Sequence, residues 1–295
     1  MTPAADSTMT CVLDARAALG ECPVWSTSER ALYWIDIRAP ALHRFDPQTG
    51  ATRTTSMPHA IGCFALRKRG GFVLALRDGI WLAEADGKPV RKVAEAPYDP
   101  ATHRFNDGRC DPRGRLLVGS MNEKRDGATA ALYRLDPDFT LHELFGGMTI
   151  SNGLAWSPDG RTMYHADTQA RTVRAFDYDL ETGTPSNPRE FARWSGETER
   201  PDGACVDSVG NYWVSFYRGG KVMQISPHGQ VLAEHPLPAM CPTMPAFGGD
   251  DLRTLYVTTA RQERPPDELA RMPQSGGLFA KRLAVAGQPE PHFAG

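Results

Sequence analysis

Four polar residues recur in one local register. Asn106 in Phe105-Asn106-Asp107-Gly108, Asn152 in Ser151-Asn152-Gly153-Leu154 and Asp202 in Pro201-Asp202-Gly203 each stand five positions before a turn-opening Asp or Ser. Those openers are Asp111, Ser157 and Asp207, and a turn glycine follows each three positions later, at Gly114, Gly160 and Gly210. Glu21, in Glu21-Cys22-Pro23-Val24-Trp25-Ser26, heads a comparable stretch. Two carboxylates and two amides are oxygen donors. Gathered without a neutralising base, they suit a divalent cation such as Ca²⁺, Mg²⁺ or Mn²⁺, and a carboxylate-rich set also tolerates Fe²⁺ or Zn²⁺. Asn or Asp near Gly is by itself an ordinary turn former. The shared register, more than any single copy, points to a site.

Such residues meet only if the fold brings them together. Short apolar runs with period-2 alternation, bounded by Gly, Pro, Asp and Asn, read as β-strands. Repeated units open at Glu21, Gly62, Asn106, Asn152, Asp202 and Met244, at intervals of 41 to 50 residues. Four short strands per unit at that spacing describe a β-propeller blade, and six units give an all-β, six-bladed propeller. The last unit is short of strands, and the segment around Val12 precedes the first unit. A strand there is expected to complete the last blade and leave no open edge. Residues 266–271 are expected to form a short helical turn. Residues 1–10 read as a loose tail and 11–295 as a single propeller domain. Inner strands of a propeller line a central channel, so the six unit-opening residues are expected to form one ring. The longer connections, at 86–104, 122–129 and 261–275, are where specificity is expected to lie.

Composition narrows the functional classes. The net charge of −2 carries no block of like charge, which gives no electrostatic case for nucleic acid or an anionic membrane. No apolar run approaches the roughly 20 residues of a membrane helix, and the first ten residues lack the basic and apolar regions of a secretion signal. The six cysteines are scattered without a C-x-x-C pair, so they read as reduced and mostly buried in a cytoplasmic protein. G-x-S-x-G and P-loop motifs are absent. His165 and Asp167 read as a packing or inter-strand pair, His59 as a solvated loop histidine, and Arg104 as a residue able to reach the mouth near Asn106.

Leu19-Gly20-Glu21-Cys22-Pro23-Val24-Trp25, Arg104-Phe105-Asn106-Asp107-Gly108, Ser151-Asn152-Gly153-Leu154 and Pro201-Asp202-Gly203 closely resemble the regucalcin/gluconolactonase (SMP-30) family. Phe247-Gly248-Gly249 and Gly276-Gly277-Leu278-Phe279 match as well, and the blocks run in order over residues 11–295. The resemblance implies a six-bladed propeller and divalent-metal-dependent hydrolysis of sugar lactones such as glucono-, galactono-, xylono- or arabinonolactone. It implies Glu21, Asn152 and Asp202 as metal ligands, Asn106 as a substrate residue and Arg104 as a partner of the sugar hydroxyls. Animal members carry a substrate-touching glutamate after a Gly-Thr-Met block. Here the block is Gly119-Ser120-Met121-Asn122-Glu123-Lys124 and the aligned position is Lys124, so either Glu123 or Lys124 is expected at the substrate. In the expected chemistry Asp202 also serves as general base toward the attacking water. Rival readings are an aryl esterase or phosphotriesterase on the same scaffold, and a non-catalytic calcium-binding propeller. The expected partner is a small lactone, with the protein monomeric or weakly self-associating.

Overall fold

The computed structural model describes residues 9–295. Its strands form six four-stranded antiparallel sheets. An opening strand, β1 (Thr10–Leu13), stands apart in sequence from the first blade. Blade one is β2 (Gly20–Ser26), β3 (Ala31–Asp36), β4 (Ala41–Phe45) and β5 (Thr52–Ser56). Blade two is β6 (Ile61–Leu66), β7 (Phe72–Leu76), β8 (Gly79–Ala83) and β9 (Pro89–Glu95). Blade three is β10 (His103–Cys110), β11 (Leu116–Asn122), β12 (Ala130–Leu135) and β13 (Leu141–Met148). Blade four is β14 (Ser151–Trp156), β15 (Thr162–Asp167), β16 (Thr172–Asp179) and β17 (Thr184–Arg193). Blade five is β18 (Arg200–Val206), β19 (Tyr212–Tyr217), β20 (Lys221–Ile225) and β21 (Val231–Pro236). Blade six is β22 (Pro242–Gly248), β23 (Thr254–Thr259) and β24 (Leu278–Arg282), with the short helix α1 (Pro266–Arg271) between the last two. Its fourth strand is β1, paired antiparallel with β24, so the chain closes its own ring as expected.

Burial explains why the alternation read from sequence holds only in part. The first two strands of blade one, β2 and β3, are buried at every residue, and so are β6, β7, β11, β14 and β22. Blades pack face to face, so inner strands have no solvent side and read as continuous apolar runs. The outermost strands β5, β9, β13 and β21 are largely exposed, and they carry the charged and polar residues. Aromatic side chains fill the wedges between neighbouring blades. Tyr33 of blade one meets Phe72 of blade two edge-on at 5.2 Å between centroids, and Tyr164 of blade four meets Tyr212 of blade five at 5.1 Å. All six cysteines are free, and only Cys11 is not fully buried.

Residues 1–8, most of the expected tail, lie outside the described residues. Met9 is buried and Thr10 already belongs to β1. Among the described residues no helix is long and apolar enough to cross a membrane.

The segment after β24 runs under the propeller, across the end of the channel opposite the ring residues. The amide of Ser208 donates to the Ala286 carbonyl (2.9 Å), tying the segment to blade five. The amide of Phe293 donates to Leu66 O (2.8 Å) and that of Ala294 to Gly114 O (2.9 Å), tying it to blades two and three. Between these ends Glu290 pairs with the half-buried Arg109 at 3.2 Å. Phe293 has no exposed surface and belongs to the largest apolar cluster. Phe293→Ala is therefore expected to cost about 3–5 kcal/mol, as fully buried aromatics do. Denaturant unfolding followed by tryptophan fluorescence checks this; a loss below about 1 kcal/mol would show that the segment is not part of the core.

Candidate functional site

The ring forms at one end of the channel. Glu21 on β2, Asn106 on β10, Asn152 on β14 and Asp202 on β18 line a single cavity together with Arg104, Met121, Ile150 and Thr168. The device that presents them repeats. Every innermost strand carries a register shift near its ring residue: Glu21/Val24, Ile61/Cys63, Phe105/Gly108, Asn152/Ala155, Pro201/Ala204 and Pro242/Met244. A bulge bends a strand and re-aims a side chain, and such features gather beside active sites. Two bulge residues occupy left-handed backbone, Gly153 (φ 61°) and Cys22 (φ 48°). At Gly153 only glycine fits, because a Cβ there would stand 2.4 Å from the Tyr212 hydroxyl, which donates to the Gly153 carbonyl at 2.8 Å.

The other two ring members contribute no donor. A Cβ at Gly62 would lie 2.4 Å from the Phe105 carbonyl of the next inner strand, so backbone packs there directly on backbone. Met244 lies against Gly203, where a Cβ would meet its Cγ at 2.5 Å, and is buried.

A hydrogen-bonded arc links three blades around the cavity. The Arg104 guanidinium donates to Asn106 Oδ1 (2.7 Å) and to the Phe105 carbonyl (2.8 Å). This fixes the Asn106 amide, whose Nδ2 donates to the Ser151 carbonyl (2.8 Å) and to Asn152 Oδ1 (3.2 Å). Asn152 Nδ2 in turn donates to Thr168 Oγ1 (2.8 Å), and that hydroxyl donates to the Pro201 carbonyl beside Asp202 (2.8 Å). Thr168 thus sets the orientation of Asn152. Sequence reading passed it over because a lone threonine after a strand carries no signal.

Glu21 and Asp202 are both buried, and neither has an ion-pair partner among the described residues. Burial pushes the Glu21 carboxyl far above the usual carboxylate range, and the charges of Asp202 and then Asp107 push it further. Burial likewise raises Asp202, followed by the charge of Asp107. Asp107 is a third buried carboxylate that the sequence reading left unassigned. One of its oxygens accepts the Leu154 amide at 3.0 Å, and Oδ1 has no partner. Arg104 stands near but is committed elsewhere. Burial lowers its pKa to about 10, which Glu123 partly offsets from 3.6 Å.

Buried anions without a base require protons or a cation. Among the described residues no three His, Cys, Asp or Glu side chains come together in a way that could hold a metal by themselves. A cation at this mouth therefore depends on an amide oxygen as third donor. Asn152 lines the cavity with its Nδ2 turned to Thr168 and its Oδ1 accepting one hydrogen bond from Asn106 Nδ2, which leaves that oxygen a second lone pair. Two carboxylates and an amide oxygen form a hard donor set that fits a divalent cation.

Glu123 and Lys124 are not brought to the cavity wall. The Glu123 carboxylate faces Arg77 (2.8 Å), Arg38 (3.7 Å) and Arg104 (3.6 Å), behind the arc. Lys124 is exposed, and its amide donates to Asn122 Oδ1 (3.0 Å). Asp167 plays the same turn role as Asp36 in blade one. Asp36 accepts the amides of Ala18, Leu19 and Arg38 at 2.7 to 3.1 Å, and Asp167 those of Thr149, Ile150 and Gln169 at 3.1 to 3.4 Å. His59 is exposed. A larger cavity, about 360 Å³, lies over the C-terminal segment at the other end of the channel and includes Arg109 and Glu290. It contains none of the ring residues.

His165 shares a hydrogen bond with Ser151 Oγ at 2.8 Å and meets Phe145 edge-on, away from the cavity. Burial, then the charge of Arg174, lowers its pKa from 6.5 to about 3. The unfolded chain thus binds the extra proton between those values. Stability from this group is complete above pH 6.5 and falls, by at most about 1.4 kcal/mol per pH unit, as pH drops toward 3. His165→Gln is expected to flatten the decline between pH 6.5 and 4 in urea midpoints measured across pH. Identical slopes would refute a buried neutral imidazole.

Residues 19–261 match the family model described as the SMP-30/Gluconolactonase/LRE-like region. The chain is 48% identical to a 6-deoxy-6-sulfogluconolactonase of Pseudomonas putida, over 98% of this chain and 100% of that protein. It is 38% identical to regucalcin of Oryctolagus cuniculus, over 97% of this chain and 98% of that one. Among solved structures it is similar to a calcium-binding protein, regucalcin, of Agrobacterium tumefaciens, with TM-score 0.93 and 27% identity over 97% of both chains. A luciferin-regenerating enzyme superposes with TM-score 0.90 at 27% identity, covering 98% of this chain and 99% of its own.

Proposed function

The chain belongs to the SMP-30/gluconolactonase/LRE-like family, and from that membership we propose that it hydrolyses a sugar lactone to the open-chain acid, with a divalent cation, at the ring end of its channel. The observation that carries the reading is the pair of buried carboxylates, Glu21 and Asp202, at the same mouth as the Arg104–Asn106–Asn152 arc. The relatives named as lactonases, including a putative sugar lactone lactonase of Bacillus subtilis at 34% identity over 96% of this chain and 97% of that protein, support the reaction class.

Glu21, Asn152 and Asp202 are the residues that would hold the cation. When bound, it supplies the countercharge for both carboxylates, polarises the ester carbonyl and makes the attacking water more acidic. Asp202 accepts that water's proton as its oxygen adds to the carbonyl carbon. The ring C–O bond then breaks, and the proton passes to the departing oxygen, which becomes the free hydroxyl of the acid. Asn106, its amide fixed by Arg104, orients the water or the developing oxyanion, and Arg104 meets the sugar hydroxyls. Thr168 acts on the reaction only through Asn152.

Asp202→Asn preserves shape and removes the base; turnover is expected to fall by roughly 10²–10⁴. The measurement is acid release from gluconolactone, followed with a pH indicator and corrected for spontaneous opening. Chelation is expected to abolish the enzymatic rate and a divalent cation to restore it. Full metal-independent activity in Asp202→Asn would sink the proposal. Thr168→Val is expected to lower kcat or weaken the cation by roughly 10–100-fold with the fold intact, as removing the support of a ligand does.

A further inference from the structure

The turn after the second strand of each blade lies at the ring end, because that strand's C-terminus pairs with the start of the inner strand: Ile35 with Glu21, Met121 with Arg104, Ala166 with Asn152 and Phe216 with Pro201. Every one of these six turns carries an arginine: Arg38, Arg77, Arg125, Arg171, Arg218 and Arg261. One arginine thus stands at the ring end of every blade, in turns that also carry Asp78, Glu123, Asp126 and Glu263. Arg38 and Arg77 are committed to Glu123, and Arg171 donates to the Glu197 carbonyl at 2.7 Å.

Arg125 and Arg218 are different. Together with Arg200, at the start of β18, they line the same cavity as Glu21, Asn152 and Asp202. Among the described residues none of the three has an ion pair or a side-chain hydrogen bond, and the Nε of Arg200 is buried without a partner. The charges that act on Arg200 are those of Arg171, Arg218 and Arg125, all of its own sign. The carboxylate of Glu263 also borders the cavity but is not among the groups that act on Arg200. Like charges brought together around a cavity repel, and an anion relieves that repulsion.

Resting on the lactonase reading, we propose that the natural lactone carries an anionic oxyanion substituent, a sulfonate, sulfate or phosphate, seated by Arg125, Arg200 and Arg218. The ester then lies over the carboxylate floor and the anion against the arginine wall. Guanidinium forks match tetrahedral oxyanions with paired hydrogen bonds, and the two charge signs of the site orient the substrate end to end.

The test compares gluconolactone, 6-phosphogluconolactone and 6-deoxy-6-sulfogluconolactone on the metal-loaded protein. One of the two anionic lactones is expected to exceed the neutral one in kcat/KM by at least about tenfold, and which does so identifies the oxyanion. Arg200→Gln and the Arg125→Gln/Arg218→Gln pair are expected to erase that preference by raising KM for the anionic lactone, with a loss on gluconolactone at least about tenfold smaller and melting temperatures no lower. Equal kcat/KM on all three lactones, or a preference that survives the substitutions, overturns the proposal and leaves the lactonase reading standing. Calorimetric binding of 6-phosphogluconate and of gluconate separates the two readings if no lactone is turned over. Tighter binding of the phosphorylated acid, lost in the arginine variants, supports the arginine wall without catalysis; equal binding overturns it.

Discussion

Two like charges buried side by side at the end of a narrow channel set the terms for this molecule. Glu21 and Asp202 come from blades one and five, far apart in the chain, and are forced together by closure of the ring. Neither has an ion-pair partner among the described residues, and the charge of Asp202 adds to burial in raising the proton affinity of Glu21. Such an arrangement is costly unless a cation or protons compensate it, and it persists only in a scaffold rigid enough to hold it. The propeller supplies that rigidity through inner strands buried on both faces, through aromatic wedges between blades and through closure at both chain ends.

Around this pair the structure separates tasks. The arc from Arg104 to the Pro201 carbonyl fixes amide orientations and ties blades three, four and five at the level of the cavity. Glu123 stands behind it and holds three arginines with one carboxylate. The acidic group expected, as the alternative to Lys124, at the substrate thus bears on the site through Arg104. Asp167 and His165, adjacent in sequence to ring residues' partners, serve the turn and the inter-blade packing.

The repeat was legible because each blade spells its inner strand and turn with the same few residue types. Glu21, Asn106, Asn152 and Asp202 followed from that register, as did closure by the N-terminal strand. Asp107 was hidden by its neighbour: in Asn106-Asp107-Gly108 either polar residue could face inward, and only the bulge decides. The arginines were harder still. They fall one to four residues after the second strand of each blade, so no constant spacing marks them, and only strand pairing reveals that they share a face. The run of the C-terminal segment beneath the channel has no local signature, since its partners Leu66, Gly114 and Asp207 are scattered over three blades.

The bare position at Gly62 has a wider consequence. Six near-equivalent blades would build a mouth with rotational symmetry, unable to tell one end of an asymmetric molecule from the other. Because the inner strand of blade two touches that of blade three backbone to backbone, that blade cannot offer a side chain to the ring, and the apolar Met244 silences blade six. The donors are thereby confined to four blades, three of them neighbours (three, four and five) and blade one standing across the axis from them. A fold made by repetition acquires handedness of approach from the places where repetition is broken by close packing.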